Sequence, residues 1–430
     1  MPPEGGAGRG GMGVSWIGRL SLGVVFLTVV INLIGFGIVL PLLPFFATEL
    51  GASPLAVGAI IAAYSAMQFV FAPLWGRMSD RYGRRPALII GLLGTAGSYV
   101  VFAMADTVTV LLLSRLVGGV MGATIPVAQA YVADRSPRES RARAMGLIGA
   151  AFGIGFIIGP AIGGLLSRWS YALPGLFAAG LSLAAGLVAL VFLPESLPPE
   201  KRLVPAAGAQ RRGGLRSAGE GLAVLGRTLA ALGRTLAHSG FRGPIGATLL
   251  GNTGIAAYTT IFPLVLQDPM GMSAAEAGGF FAFAGFVTAA SQGGIVGPVV
   301  ERLGERRTAV SGSVTVALAL AILAWAPGVP GIIVSLALLG VGWGLFNPSV
   351  LGILSVQAAD AEQGEVLGVN QSASALSRVV GPVAGGWAFG ALGYAVAFYA
   401  SATLLVVTAV WLVLMLPAAA GRGTPLAGTR

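Results

Sequence analysis

The chain consists of long apolar runs of about 20 residues, separated by short polar breaks. An α-helix needs a run of this length to cross the hydrocarbon core of a bilayer. The runs lack the alternating pattern of a membrane β-barrel. Hydrophobic residues make up 55% of the 430 positions and charged residues 10%, which is too little charge to cover a water-facing surface. The sequence therefore predicts an all-α polytopic membrane protein.

We predict twelve transmembrane helices, six on either side of a polar linker. The predicted spans lie near residues 19–41, 55–75, 86–105, 108–132, 143–167, 170–193, 243–266, 274–299, 308–326, 330–356, 364–390 and 393–416.

The linker divides the chain into two half-chains. The predicted parts are a flexible leader over 1–18, an N-terminal six-helix bundle over 19–194, the cytoplasmic linker over 195–240, a C-terminal six-helix bundle over 241–416 and a tail over 417–430. In the linker, leucines between Leu222 and Leu236 recur at steps of three and four. This spacing favours a short amphipathic helix on the membrane surface over a partly disordered tether.

The formal charge of +10 follows the predicted topology. Arginine and lysine concentrate on alternate loops, which places both termini in the cytoplasm of a plasma (bacterial inner) membrane. The basic loops face anionic lipid headgroups. Because the charge is spread over loops, it does not indicate nucleic-acid binding, and no obligate protein partner is evident from the sequence.

A charged segment occurs once in each half. Gly76–Arg85 follows the second apolar run, and Gly297–Arg306 follows the corresponding run about 221 residues later. Glycine, acid and arginine positions coincide, although Arg84 is matched by Glu305. A repeat at this offset indicates two homologous half-chains, with each segment forming a short charged turn.

The residue types present exclude several kinds of chemistry. There is no cysteine, and the one histidine, His238, lies in the predicted linker. Thiolate and histidine metal sites inside the membrane are therefore not expected. No phosphate-binding loop of the G-x-x-x-x-G-K-[ST] type occurs, which argues against direct ATP hydrolysis. We expect no enzyme activity and no cofactor.

Three stretches resemble signatures of the major facilitator superfamily. They are the Gly76–Arg85 segment, the segment from Arg115 to Ala123 and the run from Gly155 to Gly164. The last is similar to the "antiporter" motif of drug–proton antiporters. Shorter stretches, including Leu193-Pro194-Glu195-Ser196, resemble the tetracycline-efflux-like branch.

The resemblance implies two six-helix bundles around a cavity that opens alternately to each side, with spans 1, 4, 7 and 10 lining it. It also assigns roles to residues. The cytoplasmic gate motif comprises Gly76, Asp80, Arg81, Gly83, Arg84 and Arg85, with Asp134 nearby, and we expect Asp80, Arg81 and Arg85 to form a charged cluster. Alternatively, these arginines only set the orientation of the protein in the membrane and contact lipid headgroups.

The small residues of the fifth span are the second assigned set. The antiporter-type residues are Gly155, Gly159, Pro160, Gly163 and Gly164, with Gly381-Pro382 and Gly385-Gly386 matching them in the eleventh span. Small residues at this spacing let helix backbones approach closely. They serve either helix packing alone or a seam that flexes during transport.

Two arginines fall inside predicted spans. By resemblance, Arg115 takes part in proton or substrate coupling, with Asp106 as a second candidate. Alternatively, Arg115 reaches toward the outer surface and pairs with Asp106. Arg378, halfway along the eleventh span, either attracts an anionic substrate group or has a structural role.

One departure from the resembling family concerns proton exchange. Tetracycline exporters carry acids in their first, third and ninth spans, and the matching positions here are Asn32, Ser98 and Ala317. Uncharged polar side chains supply the polarity of the predicted cavity instead. The candidates for contact with substrate are Asn32, Gln68, Gln129, Asn252, Tyr258, Asn347, Asn370, Gln371 and Arg378, although helix–helix hydrogen bonding is the alternative for each uncharged one.

The sequence therefore predicts a secondary transporter that exports a small amphiphilic compound in exchange for protons. Because the mid-membrane acids are missing, the alternative function is that of a proton-linked symporter or a passive facilitator for a neutral or weakly anionic metabolite. A non-transporting receptor or scaffold is the alternative from a different class.

Overall fold

The computed structural model describes residues 11–136, 141–202, 226, 230, 233–234, 239–325, 328–358 and 363–416. The predicted linker helix and the tail over 417–430 lie mainly outside these residues. Helices make up most of the described part, and no strand occurs within it. The all-α fold is confirmed.

The first half of the chain forms eight helices within the described ranges. They are α1 (Gly11–Val39), α2 (Leu43–Glu49), α3 (Pro54–Tyr82), α4 (Arg84–Ala103), α5 (Val108–Met121), α6 (Ile125–Arg135), α7 (Arg141–Ser167) and α8 (Ala172–Phe192).

The second half repeats the succession of long helices. They are α9 (Ser239–Gln267), α10 (Ala274–Ala290), α11 (Val296–Leu303), α12 (Glu305–Trp325), α13 (Val329–Gln357), α14 (Gln363–Leu392) and α15 (Tyr394–Met415). A π-helical turn, Ser291–Ile295, joins α10 to α11.

Ten segments of the described chain are long and apolar enough to cross a membrane. The long helices α7 and α14 occupy the places of the predicted fifth and eleventh spans. Large apolar side chains such as Leu187, Val191 and Val410 are exposed on α8 and α15. Exposed apolar surface on continuous helices is what a lipid environment requires, because the backbone groups are satisfied within each helix.

The described chain is divided into two compact units. The first contains the described residues within 1–52, 63–225 and 273–282, and the second those within 53–62, 226–272 and 283–430. The start of α3 thus belongs to the second unit and the start of α10 to the first. Each unit contains a helix end from the other half of the chain.

The two charged segments are helical, which differs from the predicted turns. Helix α3 continues through the charged residues to Tyr82, and α11 continues to Leu303. Only Gly83 and Gly304 interrupt the helices, with φ of 109° and 78°. A helix needs apolar side chains only where it lies in lipid, because its backbone hydrogen bonds form equally well in a charged sequence.

Within the first unit, α7 packs directly on α1 through its glycines. A Cβ at Gly155 would lie 2.7 Å from the Leu33 backbone, and one at Gly159 would lie 2.7 Å from the Gly37 backbone. These distances are too short for carbon atoms that are not bonded, so the two backbones touch only because side chains are missing.

Beyond Gly163, α7 also contacts the start of α10 within the same unit. A Cβ at Gly278 would lie 2.5 Å from the Pro160 carbonyl oxygen and 2.7 Å from the Gly164 Cα atom. In the second unit, a Cβ at Gly386 would collide with the Pro54 carbonyl oxygen. The two matching glycine runs therefore make matching backbone contacts with helix starts.

We expect Gly159→Ala to destabilise the protein and Gly153→Ala to leave it unchanged or slightly more stable. Nothing lies within 4 Å of a Cβ at Gly153, where alanine gains about 0.5–1 kcal/mol of helix propensity. At Gly159 the added methyl group separates α7 from α1, at about 1–3 kcal/mol. Thermal unfolding of both variants in detergent measures this difference. Equal melting temperatures would contradict the packing described above.

Candidate functional site

Three helix ends and one connecting segment of the first unit meet at one end of it, which we call the Gly83 end. They are the last turn of α3, the first turn of α4, the last turn of α6 and the chain that follows α8. Arg84 is central to this cluster, and its side chain is 11% exposed. Arg84 Nη1 lies 2.5 Å from Asp80 Oδ1, and Arg84 Nε lies 3.3 Å from Asp134 Oδ2. One arginine thus joins α3, α4 and α6.

The other charged residues of the segment have different partners from those expected. Arg81 is exposed, and its guanidinium carbon lies 5.0 Å from the ring centre of Tyr82. Arg85 Nη2 donates to the Leu190 carbonyl oxygen at 2.5 Å. The Asp80–Arg84 pair therefore takes the place of the expected cluster of Asp80, Arg81 and Arg85, because the turn at Gly83 brings the first residue of α4 next to the last turn of α3.

Glu195 is an important member of this cluster that sequence reasoning missed. Its carboxylate accepts from the backbone N–H of Arg84 at 2.9 Å and from that of Arg85 at 3.3 Å. The first N–H groups of α4 have no partners within their own helix, so a carboxylate placed there caps the helix and complements its dipole. In the sequence, Glu195 is marked only by its place at the end of the sixth apolar run. The backbone N–H group of Arg84 that it caps lies 111 residues earlier in the chain.

Further bonds hold the chain around Glu195 against α6. Tyr131 donates its hydroxyl to the Pro194 carbonyl oxygen at 2.7 Å, and Arg135 Nη2 donates to the Glu195 carbonyl oxygen at 2.6 Å. Ser196 Oγ lies 3.1 Å from Asp134 Oδ2. The segment after α8 therefore ties α6 to the start of α4.

Gly83 is required at its position for two reasons. Its φ of 109° and ψ of 155° are accessible to glycine and very unfavourable for other residues. In addition, a Cβ at Gly83 would collide with Glu195 Oε2. Gly76 differs, because a Cβ there would meet open space, and its carbonyl oxygen accepts from Ser79 Oγ at 2.7 Å.

One side-chain contact of the first copy of the segment recurs in the second copy. Arg306 Nη2 donates to the Val413 carbonyl oxygen at 2.7 Å, as Arg85 does to Leu190. Glu305, at the place of Arg84, lies against Gly352 of α13. The arginine-to-carbonyl contact is therefore common to both halves, whereas Glu305 stands in the second half at the place where Arg84 joins three helices in the first.

The fourth predicted span is interrupted in the structure. Helix α5 ends at Met121 and α6 begins at Ile125. Gln68 Nε2 donates to the Gly122 carbonyl oxygen at 3.2 Å, and Trp75 Nε1 donates to the Val120 carbonyl oxygen at 2.7 Å. Carbonyl groups freed by a helix break inside lipid need such donors. Gln68, expected to contact substrate, thus supports this break.

A small cavity lies beside the break, between α1, α4 and α6. Its lining is mainly apolar and includes the polar side chains of Asn32, Thr28 and Thr124. The Thr28 hydroxyl donates to the Val25 carbonyl oxygen of its own helix at 2.8 Å. Asn32 makes no hydrogen bond to the described residues, so its amide is available to a ligand. The cavity has an apolar wall and a few polar groups, and its volume of about 20 Å³ is enough for about one water molecule and not for a drug-sized compound.

Arg115 lies on α5 and is buried, with 4% of its surface exposed. Its Nε atom lies 3.3 Å from Ser114 Oγ, and its guanidinium faces two aromatic rings. Asp106 is exposed and forms no ion pair with Arg115 in the described part of the chain. The alternative in which Arg115 reaches the surface and pairs with Asp106 is therefore not realised.

In the second unit, two polar candidates lie between α9 and α14. Asn252 Nδ2 lies 2.9 Å from Ser374 Oγ, and Asn370 lies one turn before Ser374 with 4% of its surface exposed. Tyr258 is buried, and its ring stacks on Phe262 with 5.3 Å between ring centres. These three residues pack inside the unit.

The remaining candidates are scattered. Gln129 on α6 and Asn347 on α13 are half-buried, whereas Gln371 and Arg378 on α14 are exposed. The structure therefore does not gather all polar candidates into one place. It brings Asn32 to a cavity, Gln68 to a helix break, and Asn252 and Asn370 to a helix pair. No group of metal-ligating residues occurs among the described residues.

Two homologous sets of membrane-spanning helices with paired charged helix ends are the architecture of a secondary transporter. The sequence model of the Major Facilitator Superfamily matches residues 25–378, with a second match over 247–429. The chain belongs to the Major Facilitator Superfamily. It is a multi-pass membrane transporter and not an enzyme.

Similar proteins cover nearly the whole chain. It is 32% identical to the class C tetracycline resistance protein of Escherichia coli, over 84% of this chain and 87% of that protein. It is 27% identical to multidrug resistance protein 2 of Bacillus subtilis (strain 168), over 85% of this chain and 88% of that protein. The crystal structure of the human organic anion transporter MFSD10 (TETRAN) superposes with a TM-score of 0.68 and 26% identity, covering 92% of this chain and 99% of that one.

We expect Gly83→Ala to destabilise the protein more than Gly304→Ala does. Both glycines have backbone angles that cost another residue about 1–3 kcal/mol. At Gly83 the added methyl group also displaces the Glu195 carboxylate, which leaves the first N–H groups of α4 uncapped at about 1–2 kcal/mol. At Gly304 a Cβ meets nothing within 4 Å. Thermal unfolding in detergent compares the two, and an equal loss would disprove the role of Glu195 as a cap.

Proposed function

We propose that the protein exports a small amphiphilic compound across the bacterial inner membrane by alternating access, in exchange for protons. The observation that carries this proposal is the likeness, over most of the chain, to tetracycline and multidrug resistance proteins. The small cavity at the interrupted fourth span, where Asn32 is available for hydrogen bonding, is the candidate point of contact with the substrate. The tetracycline and multidrug resistance proteins support export as the direction. Both termini lie in the cytoplasm in this proposal, and the basic loops contact anionic lipid headgroups.

One observation favours a second candidate function. Ser98 and Ala317, which match acid positions of the tetracycline exporters, are buried uncharged residues, and Ser98 Oγ donates to the Thr95 carbonyl oxygen of its own helix. A proton-linked symporter or passive facilitator for a neutral or weakly anionic metabolite needs no acid at those places. The likeness to a human organic anion transporter supports an anionic substrate.

We further propose that the Gly83 end is the cytoplasmic gate element. Arg84 joins three helices through Asp80 and Asp134, and those helices separate only when these ion pairs break. The glycine variants test this role as well. If the network controls cycling, Gly83→Ala lowers the transport rate while Gly304→Ala retains it, and equal rates would argue for a purely structural network.

Reconstituted liposomes test the proposed antiport. The full chain is incorporated, and uptake of a fluorescent amphiphile is measured with and without an imposed proton gradient. We expect the gradient to accelerate substrate movement against its concentration difference, because proton flow supplies the free energy. Protein-free liposomes and addition of a proton ionophore are the controls. Flux that equilibrates at the same rate without the gradient would refute antiport and support the facilitator.

We expect Asn32→Ala to weaken substrate binding by about 2- to 10-fold, the effect of losing one hydrogen bond. Thr28→Val is the matched control, because the Thr28 hydroxyl lines the same cavity but is bonded to its own helix. Its effect should be smaller. Binding is measured by titrating purified protein in detergent with the transported fluorophore. If both variants bind as the unaltered protein does, the cavity is not the substrate site.

A further inference from the structure

Arg115 is a buried cation whose contacts are rings and a hydroxyl group. Its guanidinium carbon lies 4.9 Å from the ring centre of Phe102 and 5.6 Å from that of Tyr99. Nε is near Ser114 Oγ, while Nη2 is buried and has no hydrogen-bond partner in the described chain. Ring faces attract a cation, but they do not neutralise its charge.

No carboxylate balances this charge within the described residues. The ion pairs found there join Arg84 to Asp80 and Asp134, and Arg202 to Glu195. Next to Arg115 along α5, a Cβ at Gly118 would lie 3.1 Å from the hydroxyl oxygen of Ser98. The nearest polar side chain on that side of α5 is thus a neutral hydroxyl group, which donates to the Thr95 carbonyl oxygen of its own helix.

Aromatic packing also separates Arg115 from solvent. The Phe102 ring lies edge-on to Phe46, with 5.3 Å between centres, and Phe46 stacks on Tyr171 at 5.3 Å. Water and salt weaken the field of an exposed charge strongly, whereas a buried charge acts over a longer distance. The charge of Arg115 is therefore screened less than the charge of an exposed arginine.

We propose that Arg115 selects substrates by charge, favouring molecules with a negative group and disfavouring cations, and that Phe102 and Tyr99 are its positioning residues. This rests on the proposed function as a transporter and specifies its substrate class. For a charge about 10 Å away in a medium of effective dielectric constant about 20, one arginine changes binding on the order of tenfold. The change has opposite signs for anions and cations.

Three matched fluorescent probes test the selection. A coumarin carboxylate, its methyl ester and its aminoethyl amide share one ring system and differ in charge. Their dissociation constants are measured on the full chain purified in detergent, without any proton gradient. We expect the unaltered protein to bind the carboxylate more tightly than the cationic amide. Arg115→Gln should lower that ratio by at least tenfold, Arg115→Lys should retain most of it, and Phe102→Leu should lower it partly.

Arg168→Gln is the control, because it removes the same charge from an exposed position. It should change the ratio by less than about twofold, since water and salt screen an exposed charge. Equal affinity of the unaltered protein for anion and cation would overturn the proposal. So would a loss of equal size for all three probes in both Arg115→Gln and Phe102→Leu, which marks a structural role. These binding outcomes are separate from the flux result, which alone tests antiport.

Discussion

In a lipid-embedded helical protein, every backbone N–H and C=O group needs a partner inside the protein, and this requirement organises the structure. Long helices satisfy it along most of the chain. Where a helix begins, ends or breaks, a side chain supplies the missing bond. Glu195 does so for the start of α4, Gln68 for the break before α6, and Arg85 for the end of α8. These three side chains therefore act where the helical hydrogen bonding is incomplete.

The same principle explains how a few charged groups connect distant parts of the first unit. Arg84 and Glu195 both act at the Gly83 end, one through two carboxylates and the other through backbone amides. A helix end that is bonded to three neighbours moves only together with them. Arg115 is the exception, because rings surround it and no carboxylate pairs with it in the described chain. An unbalanced buried charge is unfavourable, so its presence in the fourth span points to a functional role.

Whether an interaction could be predicted from the sequence depended on how far apart its residues lie in the chain. The close packing of Gly155 and Gly159 against another helix could be anticipated from local spacing, because small residues four apart share a helix face, whereas the identity of that helix, α1, could not. The pairing of Asp80 with Arg84, in place of Arg81 and Arg85, could not, since three arginines lie within reach of that acid. Glu195 had no visible partner in the sequence, because the residues it caps lie about 110 positions earlier.

The sequence by itself determined the class of the protein: its apolar runs require membrane-spanning helices, and its repeated charged segment indicates two homologous halves. It predicted the two charged segments as turns, whereas the helices continue through them as far as Gly83 and Gly304. The tertiary structure alone decided which polar groups meet. It placed Asn32 at a cavity, Gln68 at a helix break and Arg115 between two rings. Periodicity determines which face of a helix a residue occupies, whereas the neighbour at that face depends on packing between segments far apart in the chain.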